Sequence, residues 1–411
     1  MSSLFYHHVL VDGIVKALSQ IFYEQRHADK VIESMLKSHR KWGSRDRRLV
    51  AETIYGIVRW KRRYEYILEN IKKTEPQSEE YLQGLWAVHC YIKGYEWPVW
   101  FDEADFYQKK LTQWNTQRST KPLPRAIEQS IPDWLDQLGE TSLPTWDSIV
   151  KALNQQAPVD IRANTLRPQS KDLQKLLEQD EVFISAIPNQ ENAYTLKERK
   201  NVFSSKCFRE GLFEVQDRAS QLVAPFLKVE PGLRVADTCA GGGGKSLHMA
   251  ALMKNKGKII AMDIHDWKLQ ELKKRAARDG VDIIETRLID SAKVVKRLES
   301  SFDRVLMDVP CSGLGVLKRN PDAKWKLTFE EIQNLVQTQR EILVSYSKLV
   351  KPNGLMVYST CSILPMENEE QVQWFLSQTA PSQFVLEEQL RINPDEGRGD
   401  GFFMARFRRL S

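Results

Sequence analysis

The feature that most constrains the fold is an alternation of short β-rich runs with helical segments that begins at Leu233. The β-rich runs are Leu233–Asp237, Lys258–Met262, Asp303–Asp308, Leu355–Tyr358 and a last one at Phe402–Phe407. Strands separated by helices predict an α/β fold with a mostly parallel sheet covered on both faces. In such an open sheet the ligand lies beyond the carboxyl ends of the strands. We therefore look for a functional site just after each strand.

Upstream of this alternation the sequence pattern changes twice. From His8 to about Gln137, apolar residues recur at three-to-four spacing, which predicts helices. Polar segments with prolines then interrupt this pattern, and a mixed α/β stretch opens at Pro158. We predict an all-α domain over 1–140, a small α+β connecting domain over 145–220 and a catalytic domain over 221–411.

Composition excludes several classes of protein. Hydrophobic residues make up 42% and charged residues 28%, a balance typical of folded globular chains rather than disordered ones. We find neither a membrane helix nor a secretory signal, so we expect a cytoplasmic protein without a membrane partner. Five scattered cysteines form neither a disulfide framework nor a zinc motif, so we expect no metal, and any special cysteine is a reactive thiol. A monomer is the default expectation.

A glycine-rich loop follows the first strand and is the candidate cofactor loop. It contains Cys239, Ala240, Gly241, Gly242, Gly243, Gly244 and Lys245. The glycines let backbone N–H groups approach a ligand closely. A P-loop would need glycine at position 239, and a dinucleotide fingerprint would need a small, glycine-like residue where Ser246 stands, so ATP hydrolysis and NAD binding lose support.

Acidic residues recur at the predicted strand ends. Asp263 follows the glycines by about twenty residues, where a carboxylate accepts hydrogen bonds from both ribose hydroxyls of a nucleoside. Asp237, Asp290 and Asp308 end or follow three other strands. A single aspartate at such a place is more often a helix cap or turn residue, but four on one rim favour a site. An acidic rim suits a cationic cofactor such as S-adenosylmethionine better than a pyrophosphate.

Two cysteines follow neighbouring strands and face the same rim. Cys311 lies in Asp308-Val-Pro-Cys-Ser-Gly and Cys361 in Tyr358-Ser-Thr-Cys-Ser, whereas Cys90, Cys207 and Cys239 are interpreted as small core residues. A thiol beside a methyl donor makes chemical sense when the acceptor is carbon 5 of cytosine. Thiolate addition at carbon 6 makes that carbon nucleophilic enough to take the methyl group. Since few free thiols ionise at neutral pH, a nearby cation such as Lys245 must assist.

The net charge of +6 is unevenly distributed along the chain. Between Arg26 and Arg63, twelve Lys or Arg residues stand against four Asp or Glu residues. This run is either a solvated helix face or a nucleic-acid surface, and it needs a second signal to decide between them. The candidate RNA-binding residues are Arg45, Arg47, Arg48, Arg59, Lys61, Arg62 and Arg63.

At these residues the chain resembles the RsmB and Sun family of RNA 5-methylcytosine methyltransferases. The matching blocks are Asp308-Val-Pro-Cys-Ser-Gly-Leu-Gly315, Arg319-Asn-Pro-Asp322 with Lys324-Trp325, Tyr358-Ser-Thr-Cys-Ser-Ile363 with Glu367-Asn-Glu369, and Gly399-Asp-Gly-Phe-Phe403. Upstream, Ile161–Asn164 and Val215–Gln221 resemble the family's segments before its catalytic domain. Arg45–Leu68 and Ser130–Leu135 resemble the NusB-like RNA-binding domain of its ribosomal RNA branch.

The resemblance implies a role for each candidate residue. Cys361 is then the nucleophile, and Cys311 assists release of the product from the covalent adduct. The loop from Cys239 to Lys245, with Asp263, Asp290 and Asp308, then binds S-adenosylmethionine, and Asp308 and Lys245 lie close to the cytosine. The chain departs from the family in having Gly241-Gly242 where Ala-Pro is usual, which bears on cofactor affinity.

The resulting hypothesis is a class I, Rossmann-like S-adenosylmethionine-dependent methyltransferase that acts on carbon 5 of a cytosine in RNA. The NusB-like start, with no further RNA-binding module expected after Ser411, favours small-subunit ribosomal RNA. One alternative is the same chemistry on transfer RNA. The other is a noncatalytic RNA-binding assembly factor on a methyltransferase scaffold, which would not need thiols at positions 311 and 361.

Overall fold

The computed structural model describes residues 6–118, 122–378 and 383–410. The chain divides into two compact units, and each of them is assembled from two separate stretches of sequence. The first unit contains residues 1–154 and 317–327, and the second contains residues 155–316 and 328–411. No helix among the described residues is long and apolar enough to cross a membrane.

The first unit is helical throughout its described residues. Its helices are His8–Phe22, Ala28–Ser38, Ser44–Arg59, Lys61–Ile71, Glu79–Lys93, Ala104–Arg118, Arg125–Glu128, Asp133–Ser142, Trp146–Leu153 and, from the second stretch, Ala323–Lys326. The three-to-four spacing has the predicted effect: in Ser44–Arg59 the buried residues recur on one face, among them Leu49, Ile54 and Val58. Trp86 is fully buried at the centre of this core.

The short segment 317–327 lies within the predicted catalytic range, yet it belongs to the helical unit. The reason is that its side chains cap the C-terminal end of the helix Ser44–Arg59. Trp325 Nε1 donates to the Val58 carbonyl at 2.7 Å, and buried Lys324 Nζ donates to the Arg59 carbonyl at 2.9 Å. The last carbonyls of a helix lack partners within the helix, and these two N–H donors satisfy them.

The second unit begins with a small antiparallel sheet. Its strands are β1 (Asp160–Ala163), β2 (Ile184–Ala186), β3 (Ala193–Leu196) and β4 (Phe213–Val215), in the order β2-β3-β1-β4. The helices Leu173–Gln179 and Lys206–Arg209 and a 3₁₀ turn at Pro168–Asp172 connect them. Ile161, Leu177 and Phe213 are fully buried in its core.

The larger sheet confirms the predicted α/β class. Its strands are β5 (Arg234–Asp237), β6 (Lys258–Asp263), β7 (Ile284–Leu288), β8 (Phe302–Asp308), β9 (Val350–Thr360), β10 (Phe384–Ile392) and β11 (Phe402–Arg409). Among the described residues their order is β10-β11-β9-β8-β5-β6-β7. Strands β5 to β9 pair in parallel, and β10 and β11 pair antiparallel at one side.

Helices cover this sheet and link its parallel strands. They are Val223–Phe226, Gly244–Leu252, Asp266–Asp279, Ala292–Lys296, Phe329–Tyr346 and Glu369–Gln378, with 3₁₀ turns at Ser220–Leu222, Leu314–Val316, Ser347–Leu349, Pro365–Glu367 and Pro394–Glu396. Buried clusters form on both sheet faces: the successive β8 residues Val305 and Leu306 belong to different clusters. Because β5, β6, β8 and β9 run parallel, their carboxyl ends meet at one edge, where the site is built.

Candidate active site

The glycine loop joins β5 to the helix Gly244–Leu252, and its backbone requires glycine at two positions. Gly241 has φ +54° and Gly243 has φ +85°, both in the left-handed region that side chains disfavour. A Cβ on Gly243 would also lie 2.4 Å from Leu272 Cγ, so the helix Asp266–Asp279 supports the turn from below. A Cβ on Gly241 would meet nothing within 4 Å, so that side of the loop is open to a ligand.

Asp263 ends β6 and faces this loop. Its carboxylate accepts hydrogen bonds from the backbone N–H groups of Gly241, at 3.0 Å, and His265, at 2.8 Å. A carboxylate has about four lone-pair positions, so these two bonds leave acceptor capacity for two hydroxyl groups. Its role in binding a ribose stays a prediction, with two acceptor positions free of these backbone bonds.

Asp237 ends β5 and carries an unsatisfied buried oxygen. Its Oδ2 accepts from Ser246 Oγ at 2.6 Å, while Oδ1 is buried without a hydrogen-bond partner among the described residues. Burial raises the pKa of Asp237 from its ordinary 3.8 to about 7. A buried acceptor without a donor is rare in a folded protein. A cationic or N–H-bearing ligand would satisfy this oxygen.

Lys245 and Asp308 form an ion pair beside the glycine loop. Lys245 Nζ lies 2.6 Å from Asp308 Oδ2, and Ser359 Oγ donates to Asp308 Oδ1 at 2.9 Å. The ammonium also lies 5.2 Å from the ring centre of Phe402, a cation–π contact. Burial by itself lowers the pKa of Lys245, but the Asp308 carboxylate outweighs it and the net shift is upward. Lys245 is therefore a fixed positive charge.

The two thiols predicted to share the rim are in contact. Cys311 Sγ and Cys361 Sγ lie 3.4 Å apart, both are free cysteines, and both are partly exposed. The hydrogen bond shared with Cys361, together with burial, raises the pKa of Cys311 well above its ordinary value. Cys361 lies within electrostatic reach of Lys245. Cys311 is thus the protonated partner, and Cys361 is the sulfur beside the cation.

A buried carboxylate ties the two cysteine loops together. Glu367 is fully buried, and its Oε1 accepts from the Ser312 backbone N–H at 2.8 Å. Its Oε2 accepts from Ser312 Oγ at 2.5 Å and also from Ser362 Oγ. Gln339 Nε2 donates to Glu367 Oε1 and to the Pro310 carbonyl, each at 3.0 Å. Because Ser312 and Ser362 directly follow the two cysteines, this network fixes the separation of the thiols.

Glu367 lies in one of the blocks shared with the family, but its position in the sequence indicates no role. The one signal that could have found it is the repeated Cys-Ser pair, since a serine follows each rim cysteine. The local sequence does not indicate that the hydroxyls of Ser312 and Ser362 both donate to Glu367, which lies six positions after Cys361. Gln339 lies on the helix Phe329–Tyr346 and left no sequence signal at all.

Two other predicted site residues lie at the same edge of the sheet. Cys239 follows β5 directly, and burial raises its pKa, so it remains a neutral thiol. Asp290 lies two positions past β7, where it is exposed and accepts a hydrogen bond from Ser291 Oγ at 3.0 Å. Within the described ranges no group of three or more His, Cys, Asp or Glu side chains is placed to hold a metal ion.

The basic residues proposed to contact RNA divide into two sets within the helical unit. Arg45, Arg47 and Arg48 lie in the first turns of the helix Ser44–Arg59. Arg45 and Arg48 are exposed, and Arg48 Nε contacts Glu52 at 3.0 Å across one helical turn. Arg47 bonds the carbonyl of Trp42 at 2.9 Å. This first set lies on the surface.

The second set consists of Arg59, Lys61, Arg62 and Arg63, which make contacts inside the unit. Arg59 donates to the carbonyls of residues 153, 317 and 318, and Arg62 donates to that of residue 131 and to the carboxylate at 133. Lys61 lies over the rings of residues 22 and 325. Burial lowers the pKa of Arg63. These four residues stabilise the unit, which reduces what they can offer to a nucleic acid.

Two known domain families match this chain. The family described as 16S rRNA methyltransferase RsmB/F matches residues 224–408, and the RsmF/B-like ferredoxin-like domain matches residues 131–203. A probable ribosomal RNA small subunit methyltransferase B from Synechocystis sp. is 30% identical over 439 residues, covering 95% of this chain and 97% of the relative.

Solved structures agree with this assignment. The crystal structure of PH0851 has a TM-score of 0.81 and 26% identity, covering 99% of this chain and all of that one. A methyltransferase homologue from Pyrococcus horikoshii has a TM-score of 0.61 and 27% identity, covering 70% of this chain and 98% of that one.

Proposed function

Because the chain belongs to the RsmB/F family of 16S ribosomal RNA methyltransferases, we propose that it methylates carbon 5 of a cytosine in small-subunit ribosomal RNA. The observation that carries this proposal is the contact of two free thiols, 3.4 Å apart, after neighbouring parallel strands. A methyltransferase acting on an oxygen or an amine has no need of a nucleophilic sulfur.

S-adenosylmethionine is the cofactor, and the residues present fit it. Asp263 has acceptor capacity for the two ribose hydroxyls, the open side of Gly241 leaves room for close approach, and the orphaned Asp237 Oδ1 is suited to an ammonium group. When bound, the cofactor supplies an electrophilic methyl group on a positively charged sulfur. The acidic edge of the sheet favours that positive charge.

Cys361 is the nucleophile in this proposal. Its sulfur forms a bond to carbon 6 of the cytosine, and the electron pair of the 5,6 double bond then takes the methyl group at carbon 5. Lys245 stabilises the thiolate electrostatically because its charge is held in place by Asp308. Asp308 is partly exposed, with 28% of its side chain accessible, so it also offers an acceptor to the base.

Cys311 assists the second half of the reaction. A base, for which solvent water suffices, takes the proton from carbon 5. The electron pair of that C–H bond restores the 5,6 double bond, and the bond between carbon 6 and Cys361 breaks to return the thiolate. Cys311 contacts that leaving sulfur and carries a proton that can be shared with it. The methylated RNA is then free to dissociate.

A covalent trapping experiment tests these roles. Cys361→Ser replaces the thiol by a hydroxyl that hardly ionises, so methyl transfer and adduct formation should both disappear. Cys311→Ala should still form the adduct but resolve it slowly, so enzyme should accumulate bound to labelled RNA on a denaturing gel. The reverse pattern would exchange the two roles. Unchanged turnover in both variants would remove the covalent mechanism.

The substrate requires its own test, since the same chemistry could serve transfer RNA. Bisulfite sequencing of total RNA compares cells with and without the gene. In cells with the gene, one cytosine of small-subunit ribosomal RNA should resist conversion by bisulfite, and in cells without the gene the same cytosine should be converted. Loss of protection in a transfer RNA instead would reassign the substrate. No change in either RNA would favour the noncatalytic assembly factor.

A further inference from the structure

A guanidinium group lies directly below the glycine loop and holds its backbone. Arg275, on the helix Asp266–Asp279, donates from Nη1 to the Gly242 carbonyl at 2.6 Å. Its Nη2 donates to Glu214 Oε2 at 2.7 Å. One planar side chain therefore connects the cofactor loop to strand β4 of the small sheet.

The loop needs such support because its own sequence provides little rigidity. Gly241 and Gly242 are adjacent, and Gly241 adopts the left-handed region with φ +54°. Glycine loses more conformational entropy on ordering than any other residue. Holding a Gly-Gly turn in one conformation therefore costs more free energy than holding a turn of residues with side chains. Here a side chain from a neighbouring helix restricts it.

Arg275 is itself held firmly. Its acceptor Glu214 is buried, with 3% of its surface exposed, and it also accepts from Arg278 Nη2. The Arg278 guanidinium lies 4.2 Å from the ring centre of Phe208. A guanidinium fixed by a buried carboxylate loses little further freedom when it bonds a carbonyl, so the contact with Gly242 is preorganised.

We propose that Arg275 is a positioning residue that sets the affinity for S-adenosylmethionine by fixing the Gly242 carbonyl. With that carbonyl turned down toward Arg275, the loop keeps its open side at Gly241 and its N–H bond to Asp263. Arg275 does not need to touch the cofactor. This inference rests on the cofactor site of the proposed function but not on the identity of the RNA or of the nucleophile.

Sterics give the proposal a second, independent consequence. A Cβ built on Gly242 would lie 3.3 Å from Arg275 Nη1, closer than most real contacts of this kind. Arg275 and a side chain at position 242 therefore compete for the same space. Since φ at Gly242 is not in the left-handed region, alanine is conformationally acceptable there once Arg275 is removed.

The first experiment measures binding of S-adenosylhomocysteine by calorimetry, without RNA. Arg275→Ala should raise the dissociation constant about tenfold, the loss expected for one charge-assisted hydrogen bond. Arg275→Lys should recover part of this, because an ammonium can still reach the Gly242 carbonyl. Arg278→Ala is the matched control: Arg278 lies on the same helix and shares Glu214, but it bonds Glu214 and Asp279, not the loop.

The second experiment is a double-mutant cycle. Gly242→Ala should weaken binding in the wild type by displacing Arg275, and it should strengthen binding in the Arg275→Ala background by restricting the turn. In steady-state assays Arg275→Ala should raise KM for the cofactor and leave KM for RNA unchanged.

Two results would overturn the proposal. One is an unchanged dissociation constant for Arg275→Ala in a protein whose melting temperature shows that it is folded. The other is that Gly242→Ala changes the dissociation constant by the same factor in the wild type and in the Arg275→Ala variant, which would mean that positions 242 and 275 do not interact. Neither result depends on the trapping experiment, so failure here and failure of the proposed function are distinguishable.

Discussion

Asp237 is a pH-sensitive element of the fold, because its carboxyl is buried with one oxygen unpartnered. Burial raises its pKa in the folded state from 3.8 to about 7. A raised folded-state pKa means that the folded protein keeps a proton that the unfolded chain has already released. The contribution of this proton to the free energy of unfolding is therefore complete below about pH 4, and it is lost as the pH rises to about 7.

The size of the effect follows from the two pKa values. A difference between 3.8 and about 7 corresponds to about 4 kcal/mol lost above pH 7. Of this, about 2.5 kcal/mol is lost between pH 5 and pH 8, because the unfolded chain is already ionised at pH 5. Asp237→Asn removes the titration and keeps an acceptor for Ser246.

Thermal unfolding of the cofactor-free wild type and the Asp237→Asn variant at pH 5, 6, 7 and 8 measures this difference. The variant should gain stability relative to the wild type as the pH rises. For a unit of about 250 residues, 2.5 kcal/mol corresponds to a change of about 5–10 °C in the difference between the two melting temperatures. Other titrating groups cancel in the comparison. A difference that does not vary with pH would show that Asp237 is already ionised at pH 5 and would refute the burial argument.

Three further variants test the ribose contact, the support of the thiols and the basic run of the helical unit. Asp263→Ala should raise the dissociation constant of S-adenosylmethionine about tenfold to hundredfold in calorimetry without unfolding the protein, and equal affinity would reject the ribose assignment. Glu367→Gln should slow single-turnover methylation about tenfold at saturating substrates, since hydrogen bonds to a carboxylate weaken, and an unchanged rate would show that the thiols need no such support. Reversing Arg45, Arg47 and Arg48 to Glu should flatten the dependence of log affinity for RNA on log salt by about 2, and an unchanged slope would make this run a solvated helix face.

The sequence was sufficient for the parts of the fold that local patterns encode. Short β-rich runs located β5, β6 and β8, and apolar residues at three-to-four spacing located the N-terminal helices. The parallel strand order then confirmed the predicted α/β class. The contact between Cys311 and Cys361 was also predictable, because the cysteines follow the parallel strands β8 and β9, which end at the same edge of the sheet. The catalytic roles of these thiols stay predictions for the trapping experiment.

Features that depend on contacts distant in sequence were not predictable. Strand β10 escaped detection because the exposed polar residues Glu387–Gln389 interrupt its β-rich run, and its pairing with β11 is irregular between Leu386 and Glu388. The inward contacts of Arg59 and Arg62 were also invisible, because charge counting does not distinguish a guanidinium that bonds backbone carbonyls from one in solvent. Local sequence patterns are enough to predict the fold class, whereas the hydrogen-bond partner of a charged side chain depends on tertiary packing.

The segment 317–327 also determines when the helical unit can be completed during synthesis. Chains emerge from the ribosome in order from the N terminus, at about 5–20 residues per second, and N-terminal domains generally fold first. In this chain, Trp325 and Lys324 emerge only after the residues of β1 to β8, yet they cap the carbonyls of Val58 and Arg59. The helical unit is therefore the first to begin, but its last residues are made only after residues 155–316 of the second unit. A chain that stops before Cys311 lacks both rim thiols and these caps, so we expect its helical unit to open more often and to be cleaved faster by a protease than that of the full chain.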